Sequence, residues 1–163
     1  MSIRKTNSGK GNIIERDEWQ TPQSISDDLN KQYNFLLDCC ANKDNSKCPK
    51  FCVDFLECGF VWLKNIAWMN PPFSKAYEMF EHFFKVVNTG VAIYRCDNME
   101  TALWQDVILK HCSWILIPKG RISYEGLEGK GSRFPSALIG YNVPVPMYVK
   151  GTILKSKQRE IRK

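Results

Sequence analysis

The sequence predicts a single doubly wound α/β domain, and two patterns along the chain carry that prediction. Up to Ile117, short continuous apolar runs alternate with segments whose apolar residues recur at helical spacing. Such runs are typical of strands that are buried on both faces of a parallel sheet. Beyond Pro118, residues 121–124 and 136–141 are typical of two strands without a helix between them. The sequence therefore predicts a compact mixed sheet with an antiparallel edge.

Length and composition are those of one globular domain. The chain has 163 residues, of which 44% are hydrophobic, and a formal net charge of +6. No apolar run approaches the ~20 residues that a membrane span needs, and the polar start of the chain lacks the apolar core of a signal peptide, so we expect an intracellular protein. The basic excess favours a polyanionic partner. We divide the chain into a flexible lead-in (1–16), one domain (17–149) and a basic tail (150–163) that we expect to be solvated.

The first predicted helix spans residues 22–33. Thr21 is its predicted N-cap, and Pro22 lies in its first turn. Trp19, just before the helix, fits either a hydrophobic staple or a cover over a ligand. The apolar residues of the helix share one face: Ile25, Leu29 and Tyr33.

Two predicted strands end in acidic residues. A buried strand over 35–37 ends at Asp38, and a second short strand over 51–53 ends at Asp54. In nucleotide-binding α/β folds an acid at the end of the second strand holds ribose hydroxyls. Glu57 competes with Asp54 for that role, and a solvated acid at a strand end is also common.

The segment Asn70-Pro71-Pro72-Phe73 follows a predicted strand over 66–69. Two prolines end the strand, and Pro72 holds the backbone at Pro71 extended. The Asn70 carboxamide oxygen and the Pro71 carbonyl can then receive both hydrogens of one exocyclic amine, while Phe73 offers a face for stacking. The alternative is a proline-stiffened loop that merely covers the core. A helix is expected next, with Ser74 as N-cap and one apolar face: Tyr77, Phe80, Phe83, Phe84 and Val87.

The sequence predicts three more strands and one helix in the second half of the chain. The strands are expected at 91–94, 114–117 and, near the end of the domain, 147–149. Asn98 is the predicted cap of the intervening helix. Its core-facing residues are Leu103, Trp104, Val107 and Ile108.

The seven cysteines permit two interpretations. Most are expected to be buried free thiols in a reducing compartment. A zinc site that includes Cys48 and Cys52 is the alternative, although no C-x-x-C spacing occurs.

Six short segments occur in an order that closely resembles the compact phage-type DNA N6-adenine methyltransferases (Dam-like). The resemblance covers about residues 17–142. The segments are Asp17-Glu18-Trp19-Gln20-Thr21-Pro22, Leu37-Asp38-Cys39-Cys40-Ala41, Lys47-Cys48-Pro49-Lys50-Phe51, Asn70-Pro71-Pro72-Phe73, Gly120-Arg121-Ile122 and Phe134-Pro135-Ser136-Ala137.

The resemblance implies a Rossmann-like S-adenosylmethionine-dependent methyltransferase fold, with S-adenosyl-L-methionine as methyl donor and adenine in DNA as acceptor. The loop after Asp38 departs from larger methyltransferases because it lacks their glycines. By match to the family's motifs, the catalytic clamp is Asn70, Pro71, Pro72 and Phe73, and the cofactor is bound by Trp19, Thr21, Pro22, Asp38, Ala41 and Asp54.

DNA is the expected partner, with no membrane and no obligate protein partner, in the cytoplasm of a bacterial host. The candidate phosphate contacts are Lys119, Arg121, Lys130 and Arg133. Two other functions fit the same residues. The clamp also suits a protein glutamine or the N4 amine of cytosine, and the basic charge suits a non-catalytic nucleic-acid-binding module.

Overall fold

The computed structural model describes residues 17, 19–58, 62–125 and 134–156. The predicted lead-in over 1–16, the candidate phosphate contacts Lys130 and Arg133, and the tail beyond Ser156 lie outside the described residues.

Within the described ranges, seven strands form one sheet. The helices are α1 (Gln23–Tyr33), α2 (Ala76–Val86) and a π-helical segment (Leu103–Ile108) that continues into α3 (Leu109–His111). Single 3₁₀ turns span Phe55–Glu57 and Phe73–Lys75. The strands are β1 (Leu37–Asp38), β2 (Lys50–Phe51), β3 (Trp62–Met69), β4 (Val87–Arg95), β5 (Trp114–Pro118), β6 (Ser136–Tyr141) and β7 (Gly151–Ser156).

The strand order is β2-β1-β3-β4-β6-β5-β7. Strands β2, β1, β3 and β4 are parallel, whereas β6 runs antiparallel between β4 and β5, and β7 runs antiparallel to β5. The mixed α/β architecture is as predicted. The predicted antiparallel edge is present as β7, and β6 adds a second antiparallel strand inside the sheet. Strands β1 to β5 all end at one edge, as β-α crossovers require.

The sheet has a hydrophobic core on each face. Successive residues of β3 alternate between the faces, so that Ala67 and Met69 lie on one side and Trp68 on the other. Helix α2 covers the first face with fully buried Phe80 and Phe83. On the second face the core residues that α1 contributes are Leu29 and Tyr33. Burying each large apolar side chain contributes roughly 1.5–3 kcal/mol, so these contacts dominate the attachment of both helices.

Two predicted helix caps in the first half of the chain are wrong. Pro22 occupies the N-cap position of α1, and no side chain caps the helix. Thr21 instead uses its hydroxyl to accept a hydrogen bond from Asn70. Ser74 does not cap α2 either, because a 3₁₀ turn precedes that helix and Ser74 bonds to Asp17. In both cases a tertiary partner takes the hydroxyl that a local rule assigns to the helix end.

The predicted helical segment after β4 forms, and its four apolar residues are buried as expected. Asn98 does not cap it, however, because the N-cap position is Ala102. The Asn98 side chain accepts a hydrogen bond from the indole N–H of Trp104. The predicted face of α2 is correct at its three phenylalanines, whereas Tyr77 is 41% exposed and Val87 begins β4.

The last part of the sheet also differs from the prediction. Residues 121–124 form no strand, and Glu125 makes only an isolated bridge with Gln20. The strand expected at 147–149 lies instead at Gly151–Ser156, within the segment predicted to be a solvated tail. A Cβ at Gly151 would lie 2.2 Å from the carbonyl oxygen of Ile117, so glycine permits the close pairing of β7 with β5.

The cysteines do not all remain free. Cys52 and Cys58 form a disulfide, which contradicts the expectation of free thiols at these two positions and engages one of the two cysteines of the zinc alternative. Cys39 and Cys112 are buried and form no disulfide, and burial raises the pKa of Cys39 well above its ordinary value. In the described part of the chain no group of three or more His, Cys, Asp or Glu side chains suits a metal ion. No helix among those residues is long and apolar enough to cross a membrane.

Candidate active site

Three polar residues singled out in the sequence follow adjacent strands at one edge of the sheet. Asp38 ends β1, Asp54 follows β2, and Asn70 comes directly after β3. The register aligns Asp38 with Phe51 on one side and with Trp68 on the other. In open α/β sheets, ligands bind at the carboxyl ends of the strands. The strand order therefore brings these residues together where a ligand is expected.

The Asn70 side chain is held in one orientation. Its Nδ2 donates to the backbone carbonyl of Trp19 at 3.1 Å and to Oγ1 of Thr21 at 3.2 Å. A carbonyl only accepts hydrogen bonds, so the amide nitrogen must face Trp19. The carboxamide oxygen of Asn70 consequently points away from both partners.

Two possible acceptors of this loop belong to adjacent residues: the side-chain oxygen of Asn70 and the carbonyl oxygen of Pro71. Among the described residues none donates a hydrogen bond to Asn70 Oδ1 or to the carbonyl of Pro71. Pro72 has φ −60° and ψ 136°, and Pro71 is buried, so the prolines fix the loop in an extended form. A preorganised pair of acceptors is suited to an NH₂ group, which has two hydrogens to donate.

Phe73 lies in an aromatic cluster. Its ring makes edge-to-face contacts with Trp19, Tyr94 and Phe134 at centroid distances of 6.0, 5.6 and 5.5 Å. Trp19 in turn stacks on Phe134 at 5.8 Å and with an interplanar angle of 16°. Aromatic pairs of this geometry contribute about 0.5–1.5 kcal/mol each beyond their area burial, so the position of Phe73 is well determined.

The segment before α1 is attached to the loop after β3. Ser74 donates from its backbone N–H and from its hydroxyl to the carboxylate of Asp17. Gln20 exchanges two backbone hydrogen bonds with Glu125, at 3.1 and 2.8 Å. Together with the Asn70 contacts, these bonds hold Asp17 and residues 19–21 beside the carboxyl end of β3. Trp19 therefore lies against Phe73 and Phe134, and a role in covering a ligand stays a prediction.

Asp38 organises the loop that follows it. The carboxylate is buried, and its two oxygens accept from the backbone N–H groups of Cys40 and Lys47 at 3.2 and 3.0 Å. Burial raises the pKa of Asp38, and these two bonds oppose that rise. Asp38 thus closes the loop onto itself, and its role in cofactor binding stays a prediction.

Lys47 links that loop to α1 and to the segment before β6. Its ammonium group donates to Oε1 of Gln23 at 3.2 Å and lies 3.6 Å from the Glu125 carboxylate. The same carboxylate accepts the backbone N–H of Gln23 at 3.1 Å. This network brings together three residues that lie far apart in sequence.

Ala41 and Asp54 differ in what they can offer a ligand. Ala41 is buried, and its N–H already donates to the carbonyl of Cys52. Asp54 is exposed, and no hydrogen bond or ion pair joins its carboxylate to any residue in the described ranges. Its neighbour Val53 is 77% exposed, so an apolar surface and a free carboxylate lie side by side beyond β2.

The model of one protein family, DNA N-6-adenine-methyltransferase (Dam), matches residues 9–134, well over half of the chain. The protein belongs to the Dam family. This confirms the resemblance that the ordered motifs carry. None of the curated proteins matches the chain. Membership of a DNA methyltransferase family indicates methyl transfer, with DNA as the class of substrate.

Within this Dam-family structure the predicted phosphate contacts are only partly placed. Lys119 and Arg121 are exposed beyond the end of β5. Arg121 lies close enough to Asp97 to lower the pKa of that carboxyl, although Arg95 has the larger effect. Arg121 therefore lies near the Arg95–Asp97 pair.

Arg95 and Phe134 are not among the site residues predicted from the sequence, and the family match does not identify them either. Arg95 ends β4 and forms a bidentate ion pair with Asp97, at 2.7 and 2.6 Å. Phe134 belongs to one of the six segments that carry the family resemblance, where it has no predicted role, yet it contacts both Trp19 and Phe73. An arginine and an aspartate two residues apart at a strand end were the available signal.

Proposed function

We propose that the protein is an S-adenosylmethionine-dependent DNA methyltransferase that methylates the N6 amine of a flipped-out adenine. The observation that carries the proposal is the fixed orientation of Asn70. Its amide nitrogen donates to Trp19 and Thr21, which leaves Oδ1 without a donor among the described residues. The proposal also rests on the family to which the chain belongs.

In the proposed reaction Asn70 and Pro71 activate the amine. The nitrogen lone pair of adenine's exocyclic NH₂ is delocalised into the ring. Acceptance of both hydrogens by Asn70 Oδ1 and the Pro71 carbonyl favours tetrahedral geometry, and the lone pair becomes available for attack. Because both acceptors are fixed before the substrate arrives, little reorganisation is needed in the transition state.

Phe73 would receive the target base. An adenine inside a duplex cannot reach Asn70, so the nucleotide must leave the helix and stack in the site. Stacking of a base on an aromatic side chain is worth about 1–3 kcal/mol. A purine offers more stacking area than a pyrimidine, which favours adenine over cytosine. Phe73→Tyr should retain most activity because it keeps the stacking face, whereas Phe73→Ala should lose capture of the base.

The residues beyond β1 and β2 fit the methyl donor. The Asp54 carboxylate suits two ribose hydroxyls, and the exposed side chain of Val53 suits the flat face of a purine. Trp19, Thr21 and Pro22 would line the methionine end, and the loop held by Asp38, including Ala41, would border it. When bound, S-adenosyl-L-methionine supplies an electrophilic methyl group. Asp54→Ala should weaken donor binding measured by calorimetry.

The test of this function is the identity of the methylated product. The protein is incubated with labelled methyl donor and unmethylated DNA, and the DNA is digested to nucleosides for mass spectrometry. We expect N6-methyladenine, formed by wild type and reduced roughly 10²–10³-fold in Asn70→Ala, by analogy with the loss of one preorganised hydrogen bond. Asn88→Ala is the matched control, because Asn88 is exposed at the opposite end of the sheet in β4.

Other products would change the assignment in defined ways. N4-methylcytosine as the main product would retain the clamp and overturn the choice of base. Label in added protein and none in DNA would overturn the substrate class. Full activity of Asn70→Ala would overturn the role of the clamp. The proposed reaction would take place in the cytoplasm of a bacterial cell, where the DNA lies.

A further inference from the structure

Arg95 lies at the same edge of the sheet as Asn70. It is the last residue of β4, which pairs in parallel with β3, and Met69 of β3 is aligned with Ala92 three residues earlier. The side chain of Arg95 is only 14% exposed. A cation that is largely removed from water beside an active-site loop requires compensation from its neighbours.

Asp97 provides that compensation and fixes the plane of the guanidinium. Nε and Nη2 of Arg95 donate to the two carboxylate oxygens of Asp97 at 2.7 and 2.6 Å. A bidentate pair of this kind restricts rotation of the planar group far more than a single hydrogen bond does. The guanidinium is therefore held in a defined place, and its charge is balanced.

The fixed guanidinium contacts two rings of the aromatic cluster. Its central carbon lies 4.8 Å from the ring centroid of Phe134 and 5.7 Å from that of Phe73. Both distances are within the ~6 Å range of a cation–π interaction. Phe73 is thus held by Arg95 in addition to the three surrounding rings.

The geometry points to a positioning role for the Arg95–Asp97 pair: it holds Phe73 and Phe134 in the arrangement that receives the target base. This inference rests on the proposed function. A phosphate contact would be the ordinary assignment for an arginine in a DNA-modifying protein. Here a phosphate would have to compete with a bidentate carboxylate for a guanidinium that already lies against two rings.

The backbone around Arg95 does not depend on its side chain. The Arg95 carbonyl accepts the indole N–H of Trp104 at 3.1 Å, and the N–H of Cys96 donates to the carbonyl of Pro135 at 2.9 Å. Arg95 is also aligned with Ser136 in the ladder between β4 and β6. Replacement of the side chain should therefore leave the strand in place.

The test compares Arg95→Met, Arg95→Lys and wild type in steady-state methylation of DNA. We expect kcat/KM for DNA to fall roughly two- to thirtyfold in Arg95→Met, the range that corresponds to the loss of cation–π interactions. The affinity for the methyl donor should change by less than about twofold. This is well below the tenfold change to which ~1.4 kcal/mol corresponds. Arg95→Lys should resemble Arg95→Met, because an ammonium group cannot bind both carboxylate oxygens in the plane that faces the rings.

Lys31→Met is the matched control. Lys31 is also ion-paired to an aspartate, Asp28 at 3.0 Å, and its ammonium lies 5.8 Å from the ring centroid of Tyr148. It lies on α1 and is well exposed. This variant removes the same kinds of interaction away from the aromatic cluster, and it should keep wild-type kinetics.

Two further measurements separate positioning from other roles. The salt dependence of DNA binding should keep its wild-type slope in Arg95→Met, and a slope smaller by about one unit would identify a phosphate contact and overturn the inference. The near-UV circular dichroism of Arg95→Met should differ from that of wild type and of Lys31→Met, because asymmetric ring packing changes. An unaltered spectrum together with wild-type kinetics would also overturn it.

The spectroscopic comparison does not require catalysis, so the two proposals fail separately. If wild type methylates no DNA, the proposed function fails, while the spectra still decide whether Arg95 places the rings. If wild type is active and Arg95→Lys is equally active, the function stands and the positioning role fails. Should Arg95→Met unfold, Asp97→Asn tests the same pair, because Asp97 is partly exposed and tolerates a polar replacement.

Discussion

The hydroxyl of Thr21 should control turnover through the orientation of Asn70. Thr21 is 2% exposed, and its Oγ1 is one of the two acceptors that hold the amide nitrogen of Asn70. Thr21→Val keeps the size and branching of the side chain and removes the acceptor. Only the Trp19 carbonyl would then oppose rotation of the carboxamide.

The expected magnitude follows from one lost hydrogen bond. A typical intramolecular hydrogen bond contributes about 0.5–1.5 kcal/mol net. If the loss of this energy lowers the fraction of protein in which Asn70 is correctly oriented, kcat should fall roughly two- to twelvefold, since each ~1.4 kcal/mol corresponds to a factor of ten. The effect is smaller than that of Asn70→Ala, because both acceptors of the substrate amine are still present.

The assay measures kcat at saturating DNA and saturating methyl donor, with donor affinity determined separately by calorimetry. Thr21→Ser is the matched control, because it keeps the hydroxyl and loses only a methyl group. We expect Thr21→Ser to retain most of the wild-type kcat. A wild-type kcat in Thr21→Val would refute the reasoning, and so would equal losses in Val and Ser, since those would indicate packing instead of hydrogen bonding.

Three further predictions concern Asn70, Asp97 and the end of the chain. Asn70→Asp should lower kcat despite its stronger acceptor, because a carboxylate oxygen would face the Trp19 carbonyl; an Asp variant as active as wild type would contradict this. The neighbouring guanidinium of Arg95 lowers the pKa of Asp97 in the folded protein. The ion pair therefore stabilises the fold fully above the unfolded-state pKa of ~3.9, and this stabilisation is lost as the pH falls through the folded-state pKa. Between pH 5 and pH 2, the free energy of unfolding from chemical denaturation should therefore fall less in Asp97→Asn than in wild type, by a few tenths to ~1 kcal/mol. Equal falls in the two proteins would argue against the ion pair. Truncation after Ser156 should preserve the melting temperature and flatten the salt dependence of DNA binding. Truncation after Val149 removes β7 and should lower the melting temperature. An unchanged salt slope in the variant truncated after Ser156 would exclude the tail from DNA binding.

The loop after β3 was predictable from sequence because its rules are local. Two prolines after an apolar run end a strand, and they place the Asn70 and Pro71 acceptors at its carboxyl end. What holds Asn70 was not predictable in the same way. Its partner Trp19 lies 51 residues earlier, and no spacing rule connects the two. The N-cap rule assigned the Thr21 hydroxyl to α1, but a tertiary contact takes it.

Asp38 shows the limit of reasoning from a strand end. The sequence correctly predicted an acid at the end of a buried strand, and the family resemblance implied a role in cofactor binding. In the structure both carboxylate oxygens accept N–H groups of the following loop. The bond from Lys47 spans nine residues and no local rule predicts it, whereas the role in cofactor binding stays a prediction.

The position of β6 between β4 and β5 has a consequence for synthesis of the chain on the ribosome. Strands β1 to β4 are neighbours and can pair as they emerge, whereas β5 pairs only with β6 and β7, which follow it in sequence. Until residue 141 has left the ribosome, β4 keeps one edge of backbone N–H and C=O groups unpaired, and β5 has no partner at all. Unpaired strand edges are templates for aggregation. A nascent chain that stalls between Pro118 and Ser136 is therefore the form of this protein that most needs protection by a chaperone.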